Sequence, residues 1–254
     1  MKIVITGATS GIGAALALHY AQPGVTLGLL GRRQDRLAEV IGRCEAHGAD
    51  VIAEPLDVRD GAAMRIFAET FVARADGVDL VIANAGVGQP DDLASGDIAP
   101  HAQQFEINVI GVLNTLIPFV PQMVRQQQGH LVAIASVAGF RALPGSTTYA
   151  ASKMAVRTLM EGYGWALQPH GIIVTSINPG FVVSEMTDKN EFKMPFLLST
   201  DDAVGKMARA IQRKRRVYTF PWQMAILARL LPYLPGALLR RAWLSRSLAI
   251  VRAI

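Results

Sequence analysis

The chain has 254 residues, 51% of them hydrophobic and 18% charged, with a formal net charge of +5 at pH 7. That is enough to bury one large core, and no linker or repeat divides it, so a single domain is expected. One cysteine, Cys44, rules out an internal disulfide; His19, His47, His101, His130 and His170 lie too far apart for a local metal motif, so each reads as a surface or boundary residue and no metal is expected.

Residues 1–5 (MKIVI) form a short apolar run that reads as a strand, followed at once by a glycine-rich turn with Gly7, Gly11 and Gly13 and then a helix-like apolar stretch. Strand, glycine turn and helix make a phosphate-cradling arrangement. Glycines let the backbone approach a pyrophosphate, and the helix N-terminus offers free N–H groups and a partial positive charge. The GxxxGxG spacing departs from the commoner GxGxxG, and a βα turn that binds nothing is the plain alternative. A strand starting at Lys2 leaves no room for a basic start and a separate apolar segment, so the expected compartment is the cytoplasm.

Apolar runs at 25–30, 51–53, 80–83, 131–135 and 172–177 alternate with amphipathic stretches. Strands that are apolar almost throughout have both faces covered. The predicted architecture is α/β: a three-layer, doubly wound parallel sheet, Rossmann-like, with right-handed crossovers. Gly7, Asn84, Ser136 and Pro179 fall at carboxyl ends of strands, where such sheets bind ligands. Thirteen residues after Ser136 comes Tyr149, with Lys153 four residues further on. On a helix these two share a face. A free phenol has a pKa of about 10, and a nearby cation is expected to favour phenolate and bring it toward the working range. A Tyr–Lys pair at this spacing also arises by chance on exposed helices.

Taken together, these motifs resemble the short-chain dehydrogenase/reductase family in its TGxxxGIG and YxxxK branch, from residue 1 to about residue 220. The intermediate landmarks fall in order: Asp57 and Val58 after the third strand; Asn84, Ala85 and Gly86 after the fourth, with Ala83 replacing the first Asn of NNAG; Asn108 in a long helix; and Pro179, Gly180, Val182 and Ser184, with serine for threonine in PGxVxT. The resemblance implies a catalytic set of Asn108, Ser136, Tyr149 and Lys153. Tyr149 would move the proton on the substrate oxygen, Ser136 would hold that oxygen, Lys153 would hold the nicotinamide ribose and tune Tyr149, and Asn108 would support Lys153 through a water. It also implies cofactor contacts at Gly7, Thr9, Ser10, Gly11, Ile12 and Gly13, at Asp57 and Val58 near the adenine, at Asn84, Ala85 and Gly86, at Tyr149 and Lys153, and at Pro179, Gly180, Val182 and Ser184. At the end of the second strand Gly31 stands where an NAD enzyme places its ribose-binding acid, and Arg32 and Arg33 follow. A guanidinium there can hold a 2′-phosphate in a fork, so NADP(H) is expected, with NAD(H) the alternative.

Phe140, Leu143 and Pro144, with Met186, Phe192, Met194, Phe196 and Leu197 in the segment 181–198, suggest an apolar lid and a lipophilic carbonyl or alcohol substrate; packing on the body is the competing reading. From Ala203 onward there is no Asp or Glu and there are eleven Lys and Arg, while residues 1–202 carry fourteen basic and twenty acidic residues, a net −6. Residues 217–222 read as the last strand, and the division expected is a catalytic body, 1–221, and an amphipathic extension, 222–254. The extension has uncharged stretches of twelve residues (217–228) and ten (230–239), short of the roughly 20 that cross a bilayer. With Trp222, Tyr233 and Trp243 as anchors it suits contact with the inner face of an anionic membrane; packing in a homo-oligomer, dimer or tetramer, and a cover over the substrate entrance are the rivals. Basic residues interleaved with Leu, Ile and Ala speak against nucleic acid. The leading expectation is an NADP(H)-dependent oxidoreductase acting on a carbonyl or secondary alcohol. The alternative is a non-catalytic NADP(H)-binding regulatory or membrane-associated protein.

Overall fold

The computed structural model describes residues 1–142, 145–188 and 193–237. Leu143, Pro144, Phe192 and the chain after Ala237, including Trp243 and four arginines of the tail, lie outside the described residues. In chain order the elements are β1 (Lys2–Thr6), α1 (Gly11–Tyr20), β2 (Thr26–Leu30), α2 (Gln34–Ala46), β3 (Asp50–Glu54), α3 (Gly61–Ala75), β4 (Leu80–Ala83), α4 (Ala99–Phe105), α5 (Gly111–Leu116), α6 (Val120–Gln126), β5 (Gly129–Ile134), α7 (Thr147–Ala166), β6 (Ile172–Pro179), α8 (Thr200–Gln212), β7 (Val217–Phe220) and α9 (Trp222–Leu230). The expected last strand ends two residues early. Pro221 cannot donate to a ladder and takes the N-cap position of α9, so Trp222 opens a helix.

Among the described residues the strands form one sheet in the order β3-β2-β1-β4-β5-β6-β7, and every pairing is parallel. Side chains of alternate residues explain why both faces are covered. Ile3 and Ile5 of β1 join Leu27, Leu29, Ile82, Val132 and Ile177 beneath α1, α2 and α8, whereas Val4 joins Leu30, Val81, Leu131 and Ala133 beneath α3 and the helices after β4. Each fully buried Leu or Ile contributes about 1.5–3 kcal/mol, so the apolar strands are the main source of stability. The run 99–126 is long and apolar enough to cross a membrane by length and composition, but Ile107, Val112, Leu116, Phe119 and Met123 bury its apolar side in the second of these cores.

The strand order reverses between β1 and β4. The chain leaves β1 toward β2 on one side and later fills β4 to β7 on the other, so a crevice opens at the carboxyl ends of β1 and β4. His130 corrects one sequence expectation: it is buried in β5, its Nε2 lies 2.7 Å from the Thr175 hydroxyl, and burial pushes its pKa down to about 4. It is a neutral core residue rather than a surface one.

Candidate active site

The glycine turn is built by close approach. Gly7 has φ of 68°, and a Cβ placed on it would stand 2.8 Å from the Ala85 Cα; a Cβ on Gly13 would stand 2.1 Å from the Gly7 carbonyl oxygen. Any side chain at either position would push α1 and the turn away from β4. Asn84 ties the crevice together from the other side: its Nδ2 donates to the Thr6 and Gly7 carbonyls at 3.0 and 3.3 Å, and its backbone N–H donates to the Thr6 hydroxyl at 3.2 Å. Ser10 stands at the N-cap of α1 with no side-chain cap bond, and it lies near the Glu185 carboxylate. A Cβ on Gly11 would come within 3.4 Å of the Ser184 Cβ, so Ser184 faces the turn across the crevice.

Beside the turn, Arg33 donates to Glu185 at 2.8 Å and reaches the Thr9 hydroxyl at 3.4 Å. Arg32 stands 3.7 Å from Asp57, whose carboxylate is held more closely by Arg59 at 2.8 Å. The Arg59 hydrogen bond, with Arg32 adding charge, keeps the Asp57 carboxyl below its ordinary range. Val58 is buried next to it. Gly31 packs against Thr9, whose methyl would stand 2.4 Å from a Cβ there; Arg33 thus lies beside Gly31 through Thr9, while Arg32 turns to Asp57.

Around β4, β5 and α7 the predicted set converges. Ser136 opens a 3₁₀ turn (Val137–Phe140), with its Oγ accepting from the Ala138 N–H at 3.1 Å, and its hydroxyl lies near enough to the Tyr149 phenol to act on its pKa. Tyr149 lies in the first turn of α7, with Lys153 one turn below. The Lys153 ammonium donates to the Ile134 carbonyl at 3.0 Å and sits 5.7 Å from the Tyr149 ring centroid. A Cβ on Gly86 would be 3.2 Å from both the Lys153 Nζ and the Asn108 Oδ1, which leaves those two groups facing the same small space.

Two expectations gain detail here. Asn108 does lie in a long helix, 99–126, and within it in a five-residue π segment (Glu106–Ile110) between α4 and α5, a local widening frequent at functional sites. Its side chain is fully used: Oδ1 accepts from the Val87 N–H at 2.8 Å, and Nδ2 donates to the Val87 carbonyl at 2.8 Å and the Ser152 hydroxyl at 3.0 Å. The second concerns the proton. Burial raises the Tyr149 pKa, the Ser136 hydroxyl offsets only part of this, and burial lowers Lys153 to about 8. A cation nearly 6 Å away does not outweigh desolvation, so the expected lowering of the phenol is not met in the chain alone.

Sequence reasoning missed Glu185 and Asp91. Asp91, its side chain 3% exposed, accepts from the backbone N–H groups of Thr147 and Thr148 and so caps α7 two residues before Tyr149. His101 completes this corner, its Nδ1 2.6 Å from the Thr148 hydroxyl. No local pattern announces either acid, because their partners are 56 and 152 positions away. Met186 of the 181–198 segment approaches the site: a Cβ on Gly88 would touch both its sulfur, at 3.4 Å, and the Tyr149 ring, at 3.5 Å.

The family model described as short chain dehydrogenase matches residues 1–194. The chain belongs to that family. Among relatives of this short-chain dehydrogenase, an uncharacterised oxidoreductase of Myxococcus xanthus is 42% identical over 237 residues, covering 92% of this chain and 93% of that one. A short-chain dehydrogenase/reductase of Burkholderia phymatum, solved in complex with NAD, is 29% identical with a TM-score of 0.82 and covers 90% of this chain and 92% of that one. A short-chain dehydrogenase of Sphingobium yanoikuyae, solved in complex with NADPH, is 27% identical with a TM-score of 0.79, covering 93% and 97%.

Proposed function

We propose that this short-chain dehydrogenase is an NADP(H)-dependent oxidoreductase that interconverts a carbonyl and a secondary alcohol on a lipophilic substrate. The observation that carries the reading is the convergence of Ser136, Tyr149 and Lys153, with the Ser136 hydroxyl near enough to the Tyr149 phenol to lower its pKa, the Lys153 ammonium buried behind them and the glycine turn alongside. The turn fits a dinucleotide, since Gly7 and Gly13, packed too closely on Ala85, Asn84 and the Gly7 carbonyl to carry side chains, set the N-terminus of α1 at the carboxyl ends of β1 and β4. A nicotinamide bound there would supply or accept the hydride.

The chain's own residues handle the proton and the charge. Ser136 and Tyr149 aim two hydroxyls at one place, where a carbonyl oxygen gaining charge needs donors. At neutral pH the raised phenol pKa keeps Tyr149 protonated and ready to donate. With its pKa near 8, Lys153 remains mostly protonated at pH 7, and its positive charge stabilises the phenolate left when that proton leaves. Asn108 holds Val87 and Ser152, which fixes the loop after β4 against α7 and so sets the floor of the site.

Solved relatives include one with NAD and one with NADPH, so the cofactor choice rests on this chain. Gly31 offers no acid to a ribose 2′-hydroxyl, and the two arginines that follow it, Arg32 beside Asp57 and Arg33 beside Thr9, support a reading in which a guanidinium holds a 2′-phosphate. Exposed Met186, Phe196 and Leu197 on the 181–198 segment favour an apolar substrate. The test is a series of ketones and secondary alcohols of increasing chain length, assayed with NADPH or NADP⁺ and with NADH or NAD⁺. The account expects activity that rises with chain length and prefers the phosphorylated cofactor. No turnover across the series, or a preference for NADH, contradicts it.

A further inference from the structure

Helix α9 has two unlike sides. Met224 and Ala228 are buried, and they seat the helix against Gly180, whose Cβ position lies 3.2 Å from the Met224 side chain, and against the 3₁₀ turn that follows Ser136. On the outer side Trp222, Ile226 and Leu230 recur every four residues, 69%, 52% and 57% exposed, and Tyr233, just beyond, is 85% exposed. Leu227 and Leu234 widen the same exposed stretch. Arg141 anchors its far end, donating to the Pro232 carbonyl at 2.8 Å and the Leu234 carbonyl at 3.4 Å. Six large apolar side chains within thirteen residues are therefore held outward by a helix fixed to the body. Scattered exposed apolar residues are ordinary, but a rigid cluster of this size marks a contact surface.

Charge selects the partner. Arg229 is exposed on α9 between Ile226 and Leu230, no acidic residue occurs from Ala203 to the end of the chain, and Arg240, Arg241, Arg246 and Arg252 follow in sequence. An apolar face with amphipathic aromatic anchors, in a segment whose charged residues are all cations, matches the surface of a bilayer that carries negative headgroups. We propose that the outer face of α9 and the turn after it dock on anionic phospholipid, with the helix lying in the interface. Because the inner side of α9 covers Gly180 and the turn after Ser136, docking would hold the candidate site next to the lipid, where an apolar substrate is most concentrated. The docking rests on exposure and charge alone, and its test reads no turnover.

The experiment is co-sedimentation of the full chain with vesicles of phosphatidylcholine alone and of an equimolar mixture with phosphatidylglycerol, at about 0.15 M and about 1 M salt, where the screening length falls from about 8 to about 3 Å. The expected result is at least about tenfold stronger partition onto the anionic vesicles, weakened by salt. Carrying Ile226→Glu and Leu230→Glu together should cut that partition by about tenfold or more while leaving the unfolding midpoint unchanged, since both side chains are already exposed. Should that variant fail to fold, Trp222→Ser serves as the comparison, and its partition should drop severalfold. Equal binding to neutral vesicles, no binding to anionic ones, or variants that sediment as the parent does would overturn the proposal. So would a parent that ignores vesicles but loses half its particle mass when the face is changed, which would make the face an interface with a second copy.

Discussion

Lys153→Met should make the protein more stable at pH 7 while abolishing turnover. Lys153 is buried, and burial brings its pKa from 10.5 to about 8. A shift of one unit corresponds to about 1.4 kcal/mol, so keeping the ammonium charged inside the fold costs roughly 3 kcal/mol wherever both states are protonated. The penalty is complete below about pH 8. Between about 8 and 10.5 the unfolded chain holds the proton that the native chain has lost, so the stability of the parent rises with pH and the penalty fades. Methionine has a similar length and no charge, but it leaves the Ile134 carbonyl without its donor, which returns about 1–2 kcal/mol. The net expectation is a gain of about 1–2 kcal/mol at pH 7, or roughly 2–8 °C in Tm for a chain of this size. Urea unfolding of parent and variant at pH 7, 8, 9 and 10 measures it directly. The gain should shrink steadily above pH 8. A variant less stable than the parent at pH 7, or a difference that does not change with pH, refutes the reasoning.

Asn108→Ala strips partners from the Val87 N–H and carbonyl and from the Ser152 hydroxyl, all inside the protein, and should cost about 3–5 kcal/mol in thermal or urea unfolding; a loss below about 1 kcal/mol would mean that the π turn does not depend on this side chain. Arg32→Ala and Arg33→Ala should each weaken NADPH about tenfold or more by fluorescence titration, with NADH changed less than about threefold, because a charge-assisted hydrogen bond contributes about 1.5–3 kcal/mol; equal losses for both cofactors would remove the basis for the NADP(H) preference. For Asp91, burial pushes the carboxyl up but hydrogen bonds from Thr147 and Thr148 outweigh it, so its pKa lies below the ordinary value. Asp91→Ala should therefore cost about 0.5–2 kcal/mol at pH 7, an advantage of the parent that disappears as pH falls below about 4; a pH-independent difference would show that charge is not what caps α7.

Much of this molecule is legible in its residues because its main signals are local. The all-apolar runs around Val4, Val81 and Leu131 could only be strands covered on both faces, and the sheet is doubly wound as they require. Gly7 and Gly13 sit where the turn and the start of α1 close on Ala85 and Asn84, so their spacing had a steric reason that the sequence alone could suggest. What stayed hidden depends on contacts between distant segments. Glu185 meets Arg33 only once the chain has laid down six strands and returned from β6, and Asp91 caps α7 only because the loop after β4 folds over the start of that helix. The direction of the Tyr149 shift was misjudged because helical spacing places the two side chains on one face but does not say how deeply the phenol is enclosed. Burial decided that shift, and it likewise turned His130 from an expected surface residue into a neutral core one.

The central claim is that Tyr149 is the proton donor of a hydride-transfer site, and Tyr149→Phe tests it most directly. The change removes one oxygen and keeps the ring, so dissociation constants for NADPH should stay within about threefold of the parent, whereas turnover of the best carbonyl substrate should fall at least about 10²-fold with the cofactor saturating. A variant that binds NADPH and turns substrate over at near-parent rates would contradict the claim.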